Sequence, residues 1–358
     1  MRSKVYFTKL SNGDRKTVVS RKLTNLMQRA GFADLIQEND LVAIKMHFGE
    51  TGAKNVVAPH FVKPFVEMVD AQKGSAFLTD TCVLYKSPRA DAVNHLKLIQ
   101  QNGYTLEATG APVIITDGLL GSSEIEIPIP GKLFDKVSIA TEAVLANAML
   151  VLTHVTGHLG TGFGGTLKNL GMGLASRKGK LRQHSGMKPA ISTRKCTGCG
   201  MCARWCPQNA IHLENDIAVI DGQLCIGCGQ CIAVCRFSAV THDWAVGPEE
   251  LQKRVAEHAL GAIINKREKV GFVNFLTSVT KDCDCLDPNQ KKIFPDIGVI
   301  ASKDPVAVDA AALKLIEHHC GKPLSAFAYP NIDYQTQLHH AASIELGQLD
   351  YDIISVDD

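Results

Sequence analysis

The chain of 358 residues has no apolar run near the roughly 18 residues that a membrane helix needs, and its start, Met1-Arg2-Ser3-Lys4-Val5, has no signal-peptide core. No membrane span is expected, and the expected compartment is the cytoplasm. Charge of one sign is also missing, since 38 basic against 36 acidic side chains give a net +2. So balanced a field offers no overall attraction to nucleic acid or anionic membrane. Aromatic residues make up only 6% of the chain, and none interleaves the basic stretch 177–195, which contains no acid. Nucleic-acid binding is therefore not expected, and the stretch reads as a solvated linker or as a docking site for an acidic partner. Twelve cysteines are far below the roughly 8–10% of residues that mark a disulfide scaffold. With 45% hydrophobic residues, disorder is excluded as well.

What is present is concentrated. Eight of the cysteines lie between positions 196 and 235. Cys196, Cys199, Cys202, Cys206 and Pro207 form C-x2-C-x2-C-x3-C-P, and Cys225, Cys228, Cys231 and Cys235 repeat the spacing at an offset of 29. The same offset aligns Gly198 with Gly227, Gly200 with Gly229 and Ala210 with Ala239, so the segment is an internal duplication. Three cysteines at intervals of three wrap one iron-sulfur cubane, with small glycines letting the backbone fold round it, and a fourth thiolate must come from elsewhere. Disulfides, a zinc ribbon and chance compete with this reading. Zinc sites use paired cysteines, which explains neither the third cysteine of each run nor Pro207.

Outside this segment the pattern is α/β. Val5 to Thr8, Leu41 to His47, Ala76 to Asp80, Val113 to Thr116, Met149 to His154, Val270 to Leu276 and Ile297 to Ile300 read as buried strands. Helical patterns lie between them at Thr17 to Ala30, Pro59 to Ala71, Arg89 to Gln101, Pro305 to His319 and Gln335 to Leu346. The alternation predicts a mixed or largely parallel sheet covered by helices, interrupted by an inserted α+β module. The expected division is 1–188 and 244–358 for the two parts of the α/β domain, with the insert at 189–243.

A second concentration runs from His154 through His158, Gly162, Gly164 and Gly165 to Lys168. It is not a phosphate-binding G-x4-G-K-[ST] loop. A glycine-rich turn between strand and helix lets backbone N–H groups approach an anion, imidazole serves as base or metal ligand, and a desolvated lysine as a covalent anchor. His154, His158 and Lys168 are the candidate catalytic residues, and Gly162, Gly164 and Gly165 would bind an unidentified small-molecule cofactor. Cys283 and Cys285 can chelate a soft metal, form a strained disulfide or be ordinary loop thiols. Asp304 before Pro305 reads as a helix N-cap.

The cysteine segment resembles the bacterial two-cluster ferredoxins, in which the fourth cysteine of each run ligates the other cluster. The resemblance implies one 4Fe-4S cluster on Cys196, Cys199, Cys202 and Cys235, and a second on Cys225, Cys228, Cys231 and Cys206. Arg236 stands where that pattern usually has proline, and a cation there is expected to raise one cluster's potential. The loop from His158 to Lys168 resembles a stretch of the nickel-pincer lactate racemase family, H-x3-G-F-x-G-G-x-K, but departs from it at Thr166 and lacks the Pro-Gly after the lysine. In that family the histidine relays a proton or hydride and the lysine holds the pincer nucleotide.

Nearly the whole chain resembles an uncharacterised iron-sulfur family common in anaerobes, whose domain of unknown function (DUF362-type) surrounds a two-cluster insert. Lys45-Met-His47-Phe-Gly49, the His154 to Lys168 loop with Asn169 to Gly173, Lys281 to Cys285, and Asp296 to Asp309 carry that resemblance. The resulting expectation is an iron-sulfur redox protein, an oxidoreductase if it is an enzyme, whose clusters pass single electrons to or from a site in the α/β domain. Its partner would be a redox protein or a small-molecule substrate. Two alternatives stand beside it: an electron carrier with a docking scaffold, and a pincer-dependent racemase-like isomerase with structural clusters.

Overall fold

The computed structural model describes residues 2–184, 188–242, 246–283, 285 and 289–357. Eight strands form the central sheet: β1 (Ser3–Thr8), β2 (Leu41–Lys45), β3 (Ser75–Asp80), β4 (Val113–Ile115), β5 (Ala148–His154), β6 (Val270–Leu276), β7 (Gly298–Ser302) and β8 (Tyr351–Ser355). Their order is β8-β1-β7-β6-β5-β2-β3-β4. Only β7 runs antiparallel to its neighbours, so the sheet is mixed but largely parallel. All seven expected strands form, within a few residues of their expected ends. The eighth, β8, has the pattern Tyr-Asp-Ile-Ile-Ser and stands at the sheet edge, half covered, where a buried-strand signature is not required.

Helices cover both faces: α1 (Lys16–Ala30), α2 (Pro59–Ala71), α3 (Ala92–Gln101), α4 (Thr166–Gly171), α5 (Arg177–His184), α6 (Pro248–Ile263), α7 (Pro305–Cys320) and α8 (Gln335–Ser343). The alternation of strand side chains divides the core. Met149 and Val151 of β5 join Ala43, Phe272 and residues of α4, α6 and α7, whereas Leu150 and Leu152 join Val42, Ile44, Val273 and residues of α1 and α2. A sheet buried on both faces accounts for the continuous apolar runs of its central strands. Asp304 caps α7 as expected, accepting the N–H groups of Val306 and Ala307, both at 2.9 Å.

The chain between 190 and 241 has a small core of its own, built from Cys202, Ile211, Ala218, Cys231 and Val240, and short antiparallel pairs join 190–191 to 240–241 and 211–214 to 217–220. The expected boundary between residues 243 and 244 lies outside the described residues. Along the parallel part of the sheet, β2, β3 and β4 follow one another outward in one direction. Then β5 returns to the other side of β2, and β6 follows it. The reversal leaves a crevice beyond the carboxyl ends of β2 and β5, where open α/β sheets bind ligands.

Candidate functional site

The cysteine segment forms two hollows. Cys206, Cys225, Cys228 and Cys231 line one, and Cys196, Cys199, Cys202 and Cys235 the other. Each quartet thus takes three cysteines from one run and the fourth from the other. The duplication reaches the backbone, since Gly198 and Gly227 have φ of 66° and 67°, and Gly200 and Gly229 both 71°. Gly198 has no room for a side chain in any case, because a Cβ would lie 2.4 Å from the Asp216 carbonyl. Backbone N–H groups of Ala210, Ala218 and Ala239 donate to the sulfurs of Cys206, Cys196 and Cys235 at 3.2, 3.4 and 3.2 Å. Among the described residues no three His, Cys, Asp or Glu side chains converge on one metal ion. Each quartet offers four thiols, and Cys196, Cys206 and Cys235 already accept backbone N–H groups of the kind that stabilise thiolates.

A cavity of about 630 Å³ opens at the crevice. β2 brings Lys45 and His47 to it, β3 brings Asp80 and Thr81, and β5 brings Thr153 and His154. His158, Gly164, Gly165 and Lys168 line it too, together with Tyr85, Arg89, Lys180, His184, Cys283 and Cys285. The structure therefore brings together His154, His158 and Lys168, but Gly162 is not among the lining residues.

The geometry limits what each expected residue can do. Nδ1 of His158 accepts the backbone N–H groups of Gly160 and Thr161, both at 3.1 Å. Two fixed donors require an unprotonated Nδ1, so the ring is neutral with its proton on Nε2, able to donate a hydrogen bond into the cavity. Burial, then the Lys168 ammonium, hold its pKa well below the usual histidine value. Nε2 of His154 lies 3.1 and 3.2 Å from the carbonyl oxygens of Thr277 and Ser278 and must donate to them, which ties the end of β5 to the turn after β6. Lys168 faces the cavity from α4.

Packing requires the glycine at position 165. A Cβ on Gly165 would lie 2.4 Å from the Asp309 carboxylate, which accepts the N–H groups of Thr166 and Leu167 at 2.7 and 2.9 Å. The N–H groups of Thr166 and Leu167, in the first turn of α4, are thus taken by an internal carboxylate. Burial raises the Asp309 carboxyl to about 6 even though it accepts these bonds.

Sequence reasoning missed the charged centre of the cavity. Asp80 accepts from Lys45 at 3.2 Å and from Arg89 at 3.0 Å, and Nδ1 of His47 lies 3.7 Å from it. Burial favours the protonated acid, but Lys45 and Arg89 outweigh it and hold Asp80 well below the carboxylate range. The other guanidinium nitrogen of Arg89 binds Glu50 at 3.1 Å, the Tyr85 hydroxyl at 3.3 Å and the Cys285 sulfur at 3.5 Å. The Cys285 sulfur stands 4.0 Å from Nε2 of His47. A hydrogen bond from the Cys283 thiol, with His47 and Arg89 adding to it, holds the Cys285 thiol well below its ordinary value. Burial and Arg89 push His47 down, but the Cys285 sulfur and Asp80 lift it to about 9. A lysine at the end of an apolar strand, Leu-Val-Ala-Ile-Lys45, was the one local signal of this centre.

The basic stretch also needs correction at its start. Residues 177–184 form α5, and Arg177 and Lys180 are 2% and 5% exposed rather than solvated. Arg177 donates to the carbonyls of Leu120 and Ala90 at 3.0 and 2.6 Å, and Lys180 to Thr81 and the Ala175 carbonyl, both at 2.5 Å. Burial lowers Lys180 to about 8, with Asp117 and Asp80 opposing.

A family model described as a domain of unknown function, DUF362, matches residues 42–314. The chain belongs to this family. The DUF362 match takes in the cavity, α4, α5 and both cysteine runs. No curated protein matches the chain. Among solved structures, the chain is similar to the lactate racemase apoprotein from Thermoanaerobacterium thermosaccharolyticum, with a TM-score of 0.43 and 11% identity over 88% of this chain and 57% of that one. A Thermotoga maritima protein has a TM-score of 0.42 and 8% identity over 92% of this chain and 59% of its own. This DUF362 chain thus spans less than two thirds of either structure.

Proposed function

We propose that this protein is an iron-sulfur redox protein with two 4Fe-4S clusters on the two cysteine quartets, passing single electrons to or from a small anionic substrate in the cavity. One observation carries the reading. Helix α5 is shared by both places: Gly229 lines one cysteine hollow and faces Arg177 and Leu181, which a Cβ at that position would meet at 3.5 and 3.6 Å, while Lys180 and His184 of the same helix line the cavity. Residues four apart lie on one stripe of a helix, so two adjacent stripes serve the two sites. The cavity's cations, Lys45, Arg89, Lys168 and Lys180, outnumber Asp80 and favour an anion. A carrier alone has no use for such a chamber.

Bound clusters supply one-electron chemistry. The chain's own part is to hold them by thiolates and to position the substrate. Ile226 and Phe237, one at each hollow, are 49% and 48% exposed, which leaves the cysteine segment open to an electron donor. Anaerobically purified protein is expected to carry about eight iron and eight sulfide per chain and to give reduced-cluster spectra. Zinc with little iron would refute the reading.

A further inference from the structure

Cys283 and Cys285 belong to neither cysteine quartet, yet both open into the charged cavity. Cys283 favours the thiolate on Cys285 and keeps its own proton. Three features single out Cys285 as the attacking sulfur. His47 faces it at 4.0 Å, Asp80 lies 3.7 Å behind the other ring nitrogen, and Arg89 reaches the same sulfur at 3.5 Å. A nucleophile, an imidazole and an orienting carboxylate in that sequence are the elements of an activated thiolate. Cys283, two residues away, is placed to resolve whatever Cys285 attacks.

We propose that Cys283 and Cys285 form a two-electron dithiol site that reduces an anionic small-molecule disulfide. The Cys285 thiolate attacks one sulfur of the substrate; the substrate S–S bond breaks, a mixed disulfide forms and the first thiolate leaves. Cys283 then passes its proton to the first departing thiolate and attacks the Cys285 sulfur. The mixed disulfide breaks, the second thiolate leaves, and a Cys283–Cys285 disulfide remains. Two electrons and one proton return it to thiolate and thiol. The short loop between the two cysteines strains such a disulfide and makes it easier to reduce. Lys45, Lys168, Lys180 and Arg89 would bind the substrate's negative groups. The inference rests on the proposed function only for the source of the electrons.

The test uses anaerobic holoprotein and oxidised glutathione as the probe disulfide. Mass spectrometry of the wild type is expected to show two glutathiones released per chain and a Cys283–Cys285 disulfide. Cys283→Ser is expected to stop at glutathione bound to Cys285, Cys285→Ser to lose exchange at this site by about a hundredfold or more, and Cys320→Ser to match the wild type. Reduced methyl viologen, a one-electron donor, is expected to restore the dithiol in the wild type, read by thiol labelling. Full iron content with Cys285 no more reactive than Cys320 would overturn the dithiol and leave the cluster reading standing. Exchange in a chain that binds no iron would support the dithiol and overturn the cluster reading.

Discussion

His47 stands between Asp80, 3.7 Å from its Nδ1, and the Cys285 sulfur, 4.0 Å from its Nε2. An imidazolium in that position pairs with a thiolate on one side and a carboxylate on the other. Two groups that are ordinarily neutral at pH 7 thus hold each other charged, with Arg89, the Cys283 thiol and the Tyr85 hydroxyl as the other neighbours of the sulfur.

The consequence is a thiol that stays reactive in mild acid. Alkylation of Cys285 by iodoacetamide, followed by peptide mass spectrometry, is expected to persist at pH 6, where an ordinary thiol near 8.5 is almost wholly protonated. His47→Gln removes the cation and is expected to slow the reaction at pH 6 roughly tenfold, with the profile moving to higher pH. An unchanged profile in His47→Gln would show that the imidazole does not activate the sulfur.

Helix α4, which carries Lys168, is pressed against α6. A Cβ on Gly171 would lie 2.0 Å from the Val255 carbonyl, a backbone atom that cannot swing away. Gly171→Ala is expected to separate the helices and cost about 1–3 kcal/mol, the usual penalty for overpacking. Anaerobic thermal denaturation checks the stability, and a midpoint equal to the wild type would refute the close approach.

The sheet was legible because its strands are buried on both faces, which writes continuous apolar runs into the chain. The two cysteine runs were legible because spacing encodes them, and their crossing into quartets was implied by the resemblance to two-cluster ferredoxins. The charged centre was not, because Lys45, Asp80, Arg89 and Cys285 come from four separate segments and meet only when β2 and β3 pair and the chain returns after β6. The basic stretch misled for a related reason. Arg177 and Lys180 sit in an ordinary-looking charged run, and only the folded chain supplies the carbonyls that let them be buried.

Arg236 follows Cys235, whose sulfur already accepts the Ala239 N–H, and its side chain is exposed. Positive charge beside a cluster favours the reduced form. Under the proposed ligation, Arg236→Ala is expected to lower the midpoint potential of one cluster and leave the other in place. Spectroelectrochemistry reads both, and two unchanged midpoints would remove the idea.

His95 and His258 are among the histidines buried in the folded chain as neutral rings. His95 and His258 are both 0% exposed, and burial lowers each to about 3. Nδ1 of His258 donates to the Arg254 carbonyl at 2.8 Å, and neither ring nitrogen of His95 has a hydrogen-bond partner among the described residues. In the unfolded chain both would titrate near 6.5. Their folded values are depressed, so their contribution to stability is complete above about 6.5 and is lost as the pH falls toward 3. Each costs roughly 1.4 kcal/mol per pH unit within that window. The expected outcome is a thermal midpoint that falls steadily between pH 6.5 and 5, before most carboxylates begin to titrate. His95→Leu is expected to remove about half of this pair's contribution to the slope, because a neutral apolar side chain takes up no proton on unfolding. A variant that keeps the full wild-type slope would show that His95 is not held neutral by the fold.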